Sequence, residues 1–403
     1  MQAYYDFVII GAGAVGLSCA YKLMLKFPIA KILVLEKENQ VSSHQTGHNS
    51  GVIHSGLYYK PGSKKAINCI NGREQLVKFA QNNDVKHEIC GKIVAAATDD
   101  ELPRLEKIYQ TGLQNGLDKI QMIDSKEAKE IEPYCNTIKS IWVPYTGIID
   151  FPGVCKKLSE ILQNNGHQVI FHQEIIGIKK NQDKTYTLIT RNNTYQTRYF
   201  IACAGLHSDR IAKLENLPLK MRIVGFRGDY YELTHESEHK VRNLIYPVPN
   251  PQFPFLGVHF TRMVLGGVEC GPNAVFTFKR EGYQKTDFSL KDTMEALSYK
   301  GTLKFMWKHW RFGWDEYRRA FSKSLFLKQL QRLLPSLTLG DLKPGRSGVR
   351  AMALDANGNM IDDFAYEITE HSLHVLNAPS PAATACLAIG DDIVNLAQNS
   401  WNL

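Results

Sequence analysis

Between two short apolar runs, Phe7-Val8-Ile9-Ile10 and Ile32-Leu33-Val34-Leu35, the chain carries Gly11-Ala12-Gly13-Ala14-Val15-Gly16, then a stretch from Leu17 to Leu25 that can continue as helix. Strand, glycine turn, helix and strand in that order close a βαβ unit. Gly11 permits the tight turn, Gly13 lets a pyrophosphate approach the backbone, and Gly16 lets the helix pack closely on the strand. The free N–H groups at the helix start attract phosphate. Glu36 falls 20 residues after Gly16, at the end of the second strand, where a carboxylate accepts hydrogen bonds from ribose hydroxyls. This context predicts a dinucleotide site and does not separate FAD from a nicotinamide dinucleotide.

A second half of the same arrangement lies further along. Val154, Leu158, Ile161 and Leu162 recur at helical spacing before Gly166, and Gln168 to Phe171 resumes as strand. After a hairpin, Tyr199 to Gly205 reads as a buried strand ending in small residues. Between these pieces, Arg227 to Leu233 and Gly257 to Leu265 alternate in a way that suits an antiparallel sheet. The expected fold is α/β, α+β overall. A Rossmann-like nucleotide-binding domain is assembled from 1–84, 146–215 and 346–403, and an antiparallel-sheet substrate domain from 85–145 and 216–345, with a helical cover over 290–334.

The length of 403 residues suits two to three domains. With 44% apolar and 22% charged residues, disordered and collagen-like readings are excluded. No run approaches the ~18 apolar residues that a spanning helix requires. The eight cysteines are scattered, with no C-x-x-C pair and no histidine at metal-ligand spacing, so buried thiols and no metal are expected. Asp6 stands where a secretory leader would carry a basic flank, and the expected location is a reducing, cytoplasmic interior.

The net charge of +8 is modest and fits anionic substrates, anionic lipid or nucleic acid alike. Basic and aromatic residues interleave at Phe305, Met306, Trp307, Lys308, His309, Trp310, Arg311 and Phe312, followed by Arg318, Arg319 and Lys323. Such a helix can lie on the inner face of a membrane as a peripheral contact. The plainer reading is a helical cover with a solvated basic face. No nucleic-acid-binding fold organises these residues, so no nucleic acid is expected.

From Ser43 to Tyr59, hydroxyl, amide and imidazole groups crowd into a segment with little periodicity. It contains H-Q-T-G-H-N-S-G-V-I-H-S-G at 44–56. Further pieces are C-A-G-L-H-S-D-R at 203–210, L-G-V-H-F-T-R at 256–262, S-G-V-R-A at 347–351 and H-V-L-N-A-P-S-P-A-A-T at 374–384. On these the chain resembles the FAD-dependent D-amino-acid oxidase and glycerol-3-phosphate dehydrogenase superfamily, and within it the L-2-hydroxyglutarate oxidase or dehydrogenase family.

The resemblance implies FAD, held non-covalently. Gly11, Ala12, Gly13, Val15 and Gly16 would hold the pyrophosphate, Glu36 and Lys37 the adenosine ribose region, and Thr46, Asn49, Ser50 and Gly51 the flavin side. Ile175 would meet adenine, and Ala204 and Gly205 would lie beneath the diphosphate. A turn through Ser380, Pro381, Ala382, Ala383 and Thr384, opening into a helix from Ala382 to Leu396, would aim N–H groups at the flavin O2 edge. The reaction implied is oxidation of L-2-hydroxyglutarate to 2-oxoglutarate by hydride transfer to flavin N5, with electrons passed to oxygen or a membrane quinone. The alternatives are a superfamily member acting on an amino acid or glycerol 3-phosphate and, more remotely, a flavin-containing RNA-interacting protein.

Oxidising an alcohol beside a carboxylate needs a base for the hydroxyl proton and cations for the dicarboxylate. His54 is the preferred base, because imidazole titrates near ~6.5; substrate binding or a structural hydrogen bond are its alternatives. His48 is the second candidate, more readily a flavin or substrate contact. Arg350 can fork onto one carboxylate unless Asp355 or Asp362 pairs with it. Arg262, and Tyr59 or Lys60, are candidates for the second carboxylate, against a polar sheet face or rim. Arg227 either lines the pocket or pairs with Asp229 or Glu232.

Overall fold

The computed structural model describes residues 4–250 and 257–403; Leu256, in the 256–262 motif, lies outside them. The glycine-rich turn joins strand β1 (Tyr4–Ile10) to helix α1 (Ala14–Lys26), which leads to strand β2 (Ile32–Leu35). Five parallel strands form the body of the first sheet, in the order Gln168–Ile170, β2, β1, Thr194–Ala202, Ser372–Asn377. Both faces are covered, which is why β1 and β2 read as continuous apolar runs and not as alternation. On one face α1 packs Leu17, Ala20 and Leu23 among Val154, Leu158 and Leu162 of the helix Phe151–Asn164 and Ile389 and Ile393 of the helix Cys386–Trp401. On the other, Val8, Leu33 and Phe200 meet Tyr186 and Leu188 of the antiparallel hairpin Ile175–Lys180 and Tyr186–Thr190.

The second sheet has nine strands and is antiparallel except where Leu244–Pro247 runs parallel to Lys92–Ala96. Its longest ladder joins Met221–Leu233 to Leu342–Asp355. The sequence reading opened the last nucleotide-binding segment at 346, whereas residues up to Asp355 belong to this second sheet. Their backbone groups are satisfied by a strand more than a hundred residues earlier, a non-local pairing that no local period reports. Four helices, Leu290–Leu297, Lys300–Lys308, Trp310–Phe321 and Lys323–Leu330, form the expected cover. Ser289 caps the first and Ser322 the last.

The C-terminal helix starts at Cys386, not Ala382, and runs to Trp401. Residues 382–385 are held in turns, with Ala382 N–H donating to Pro379 O and Ala385 N–H to Pro381 O. The far end is fixed by Trp401, whose ring stacks on Tyr199 with centroids 4.6 Å apart and whose indole N–H donates to Thr369 O. The eight cysteines are free. Among the described residues, no helix is long and apolar enough to cross a membrane.

Candidate active site

At β1 the chain's strand succession reverses: β2 lies on one side and the much later Thr194–Ala202 on the other. A crevice opens at the carboxyl ends of parallel strands at such a switch point. Here it is a cavity of about 1020 Å³ between the first sheet and the inner face of the second. That size is at the top of the ~300–1,000 Å³ range of small-molecule sites, as a dinucleotide plus a small acid requires.

The near end is built by the turn after β1. Gly11 adopts φ +105°, and a Cβ there would stand 2.5 Å from Cys203 O; at Gly16 it would stand 2.0 Å from Gly11 O. Close packing thus leaves no room for side chains at Gly11 and Gly16, and Gly13, Val15 and Gly16 line the cavity. Gly13 caps α1 without a side-chain hydrogen bond. Ala14 N–H donates to Thr46 Oγ1 at 3.1 Å, while the N–H groups of Val15 and Gly16 have no carbonyl behind them in the helix. The Glu36 carboxylate accepts from Ala12 N–H at 2.7 Å and Glu38 N–H at 3.0 Å, which holds it at the cavity wall. A helix start with free N–H groups at Val15 and Gly16, a tight glycine turn and an oriented carboxylate fit the diphosphate and ribose of FAD.

Of the other residues expected at the cofactor, Lys37, Thr46, Asn49, Ser50, Ile175, Ala204, Gly205 and all of Ser380–Thr384 line the same cavity. Ala12 and Gly51 do not. Ala12 is fully buried beneath the turn, and Gly51 is spent on local structure, donating to Asn49 Oδ1 and accepting from Ile149 N–H. The Lys37 ammonium lies between Glu38, His44 and Glu281, so a cluster with metal-ligand chemistry is already bridged by a cation.

At the far end stand His54, Tyr230, Tyr246, His259 and Arg350. His54 follows the short strand Val52–Ile53. Its backbone is pinned by its N–H to Thr384 Oγ1 at 3.1 Å and by its carbonyl, which accepts from Cys69 Sγ. Thr384 Oγ1 also donates to Val52 O, tying the Ser380–Thr384 turn to the histidine segment. Burial, reinforced by the positive surroundings of Lys92, His259 and Lys65, holds the His54 imidazole down to about 3. His259 is likewise about 3, through burial with Arg350 and Lys92 outweighing its bond to Gly257 O. Its Nδ1 faces the Gly257 carbonyl at 3.0 Å, so Nδ1 carries the proton and Nε2 is the acceptor. His48 lines the cavity nearer its middle, with Nδ1 3.0 Å from Ser347 O and its ring stacked on Tyr283.

Arg350 projects from Leu342–Asp355 into the cavity and is hydrogen-bonded to Tyr230. Its expected competitors are engaged elsewhere: Asp362 pairs with Lys65 at 2.6 Å, and Asp355 accepts from the Asn357 and Asn359 backbone. Arg227 pairs with Asp229 at 2.7 Å. Three expected substrate contacts lie away from the cavity. Arg262 pairs with Glu88 at 2.6 Å; it shares a strand face with Phe260, opposite His259, because side chains alternate. Tyr59 sits behind Ser380, and Lys60 points to solvent. Residues the sequence reading passed over, Tyr230, Tyr246 and Lys92, come together here instead. The Tyr246 ring lies against His259 in a tilted contact, with centroids 4.1 Å apart.

Fold and cavity together define a dinucleotide-binding protein whose cavity has room for a second, small ligand. A family model described as FAD dependent oxidoreductase matches residues 6–396. The chain is 45% identical over 394 residues to an L-2-hydroxyglutarate dehydrogenase of Indibacter alkaliphilus, covering 98% of each chain. It is 41% identical to an L-2-hydroxyglutarate dehydrogenase of Escherichia coli (strain K12), covering 98% of this chain and 93% of that one. Among solved structures it is similar to an FAD-bound L-alpha-glycerophosphate oxidase from Mycoplasma pneumoniae. The TM-score there is 0.81 at 22% identity, over 100% of this chain and 96% of that one. The chain belongs to the FAD-dependent oxidoreductases and, within them, to the L-2-hydroxyglutarate dehydrogenase family.

Proposed function

We propose that the chain oxidises L-2-hydroxyglutarate to 2-oxoglutarate, with His54 taking the hydroxyl proton at an imidazole nitrogen and Arg350 holding a carboxylate. The observation that carries this reading is the far end of the cavity. Two desolvated, neutral imidazoles stand beside an arginine, and the carboxylates Glu269 and Asp362 are already paired with Arg346 and Lys65. Such a pocket is short of negative charge and favours an anion. Bound FAD supplies the hydride acceptor. The Thr384 hydroxyl keeps the His54 backbone in place, and Tyr230 orients the guanidinium. The Ser380–Thr384 turn lines the same cavity and would help to hold the flavin. The expected result is anaerobic bleaching of the flavin band by the L enantiomer and none by the D enantiomer; bleaching by glycerol 3-phosphate or an amino acid alone overturns the substrate assignment.

The electrons leave, in the same reading, to a quinone at a membrane surface. Trp307, Trp310, Trp314 and Phe321 are 82%, 60%, 64% and 68% exposed. Within the helix Trp310–Phe321, positions 310, 314 and 321 share one outward face with Arg311 and Arg318. Aromatic rings with flanking cations suit the interface of an anionic bilayer. Vesicles containing anionic phosphatidylglycerol are expected to float the wild-type protein and to lose it when Trp307, Trp310 and Trp314 are replaced by serine, with turnover on a water-soluble dye unchanged. Equal flotation of both proteins removes the patch as a membrane contact.

A further inference from the structure

Lys92 opens the strand Lys92–Ala96 and is 1% exposed. Its ammonium lies 4.7 Å from the ring centroids of both Tyr58 and Tyr246, and 3.5 Å from Tyr58 Oη. Cys69, from the helix Lys64–Asn82, and the imidazoles of His54 and His259 are the other titratable groups facing it. Among the described residues it has no carboxylate partner. An ammonium out of water without an anion is costly, and cation–π contacts replace hydration only in part. Tyr246, His54 and His259 belong to the cavity wall, so this charge stands one side-chain layer behind the pocket.

We propose that Lys92 is a specificity-determining positioning residue: it supplies, beside Arg350, the second positive charge that makes the pocket select a dianionic 2-hydroxy acid over a monoanionic one. The proposal rests on the hydroxy-acid reading above. It acts through the field behind Tyr246 and His259, with no contact to the reacting atoms.

Burial brings the Lys92 amine down to about 7, with Cys69 opposing it. Its neighbours do not titrate nearby: His54 and His259 are at about 3, Cys69 is at about 12, and Tyr58 and Tyr246 are pushed up further still. A bound dianion stabilises the ammonium and so raises the Lys92 pKa. Affinity for the dianion is therefore full below pH 7, falls as pH rises through 7 toward the bound-state pKa, and above 7 binding takes up a proton.

The test uses wild-type holoenzyme titrated with 2-oxoglutarate at about pH 8, by calorimetry in buffers of different ionisation enthalpy. Uptake close to one proton is expected with 2-oxoglutarate and far less with the monocarboxylate 2-oxobutyrate. In K92M, kcat/KM for L-2-hydroxyglutarate falls about 100-fold, mainly through KM, while that for L-2-hydroxybutyrate changes less than about 3-fold. K92R restores most of the affinity and abolishes its pH step, because guanidinium stays charged. Equal losses on both substrates in K92M, or wild-type binding without proton uptake, overturn the proposal. If K92M fails to fold, the wild-type calorimetry decides. Failure of L-2-hydroxyglutarate to bleach the wild-type flavin is a separate result, which overturns the substrate reading and not the preference for a dicarboxylate.

Discussion

Replacing His54 with glutamine lowers the rate of anaerobic flavin reduction by about 10²- to 10⁴-fold, the range a positioned general base contributes. FAD content and 2-oxoglutarate binding stay close to wild type, because the segment is held through its backbone by Thr384 and Cys69 and not through the imidazole. The desolvated ring is neutral throughout the usual assay range, so its lone pair is always available, but in the empty pocket it holds a proton poorly. An incoming dianion opposes the field of Lys92 and Lys65 and raises the imidazole's pKa. Proton acceptance is thereby coupled to binding of the right charge. The matching His259→Gln variant separates the two candidates. If that change removes flavin reduction and His54→Gln does not, the base is His259 Nε2, the acceptor nitrogen left open by the Gly257 carbonyl.

What the sequence made legible follows from how local each signal is. The β1 turn, its three glycines and Glu36 fall within one βαβ unit, and the reading of that unit survives in the hydrogen bond from Ala12 N–H to Glu36. The helical cover was equally readable, since the run of interleaved aromatic and basic residues that marks it is local. Arg262 was misplaced because its neighbour His259 does line the cavity. An odd offset along a strand turns the side chain to the other face, and the motif text carries no register. Lys92 gave no signal at all: a lysine after a glycine reads as surface until Tyr58 and Tyr246, from distant segments, close over it. The assignment of 346–355 failed for the same reason, its partner strand being far away in sequence.

Substituting alanine at Gly16 is expected to yield protein that is recovered without FAD and unfolds at markedly lower temperature, and Gly11→Ala a milder version of the same loss. At Gly16 the new Cβ meets Gly11 O at 2.0 Å, backbone against backbone, so the helix must move off the turn. At Gly11 two penalties combine, a φ of +105° and a contact of 2.5 Å with Cys203 O. The strands cannot easily yield, because Gly11 N–H is bonded to Leu35 O and Cys203 N–H to Ile10 O, both at 2.8 Å. Strain at a disfavoured φ costs about 1–3 kcal/mol, and overpacking adds an amount of similar size. Gly62→Ala separates these contributions. Its φ is +76° with nothing within 4 Å of the added carbon, so it bears the strain alone, outside the cavity. The expected order of FAD retention is Gly62→Ala above Gly11→Ala above Gly16→Ala, read from the flavin-to-protein absorbance ratio with melting temperatures of the apo proteins beside it. Stoichiometric FAD and unchanged melting in Gly16→Ala would mean that close approach of helix to turn does not shape the diphosphate site.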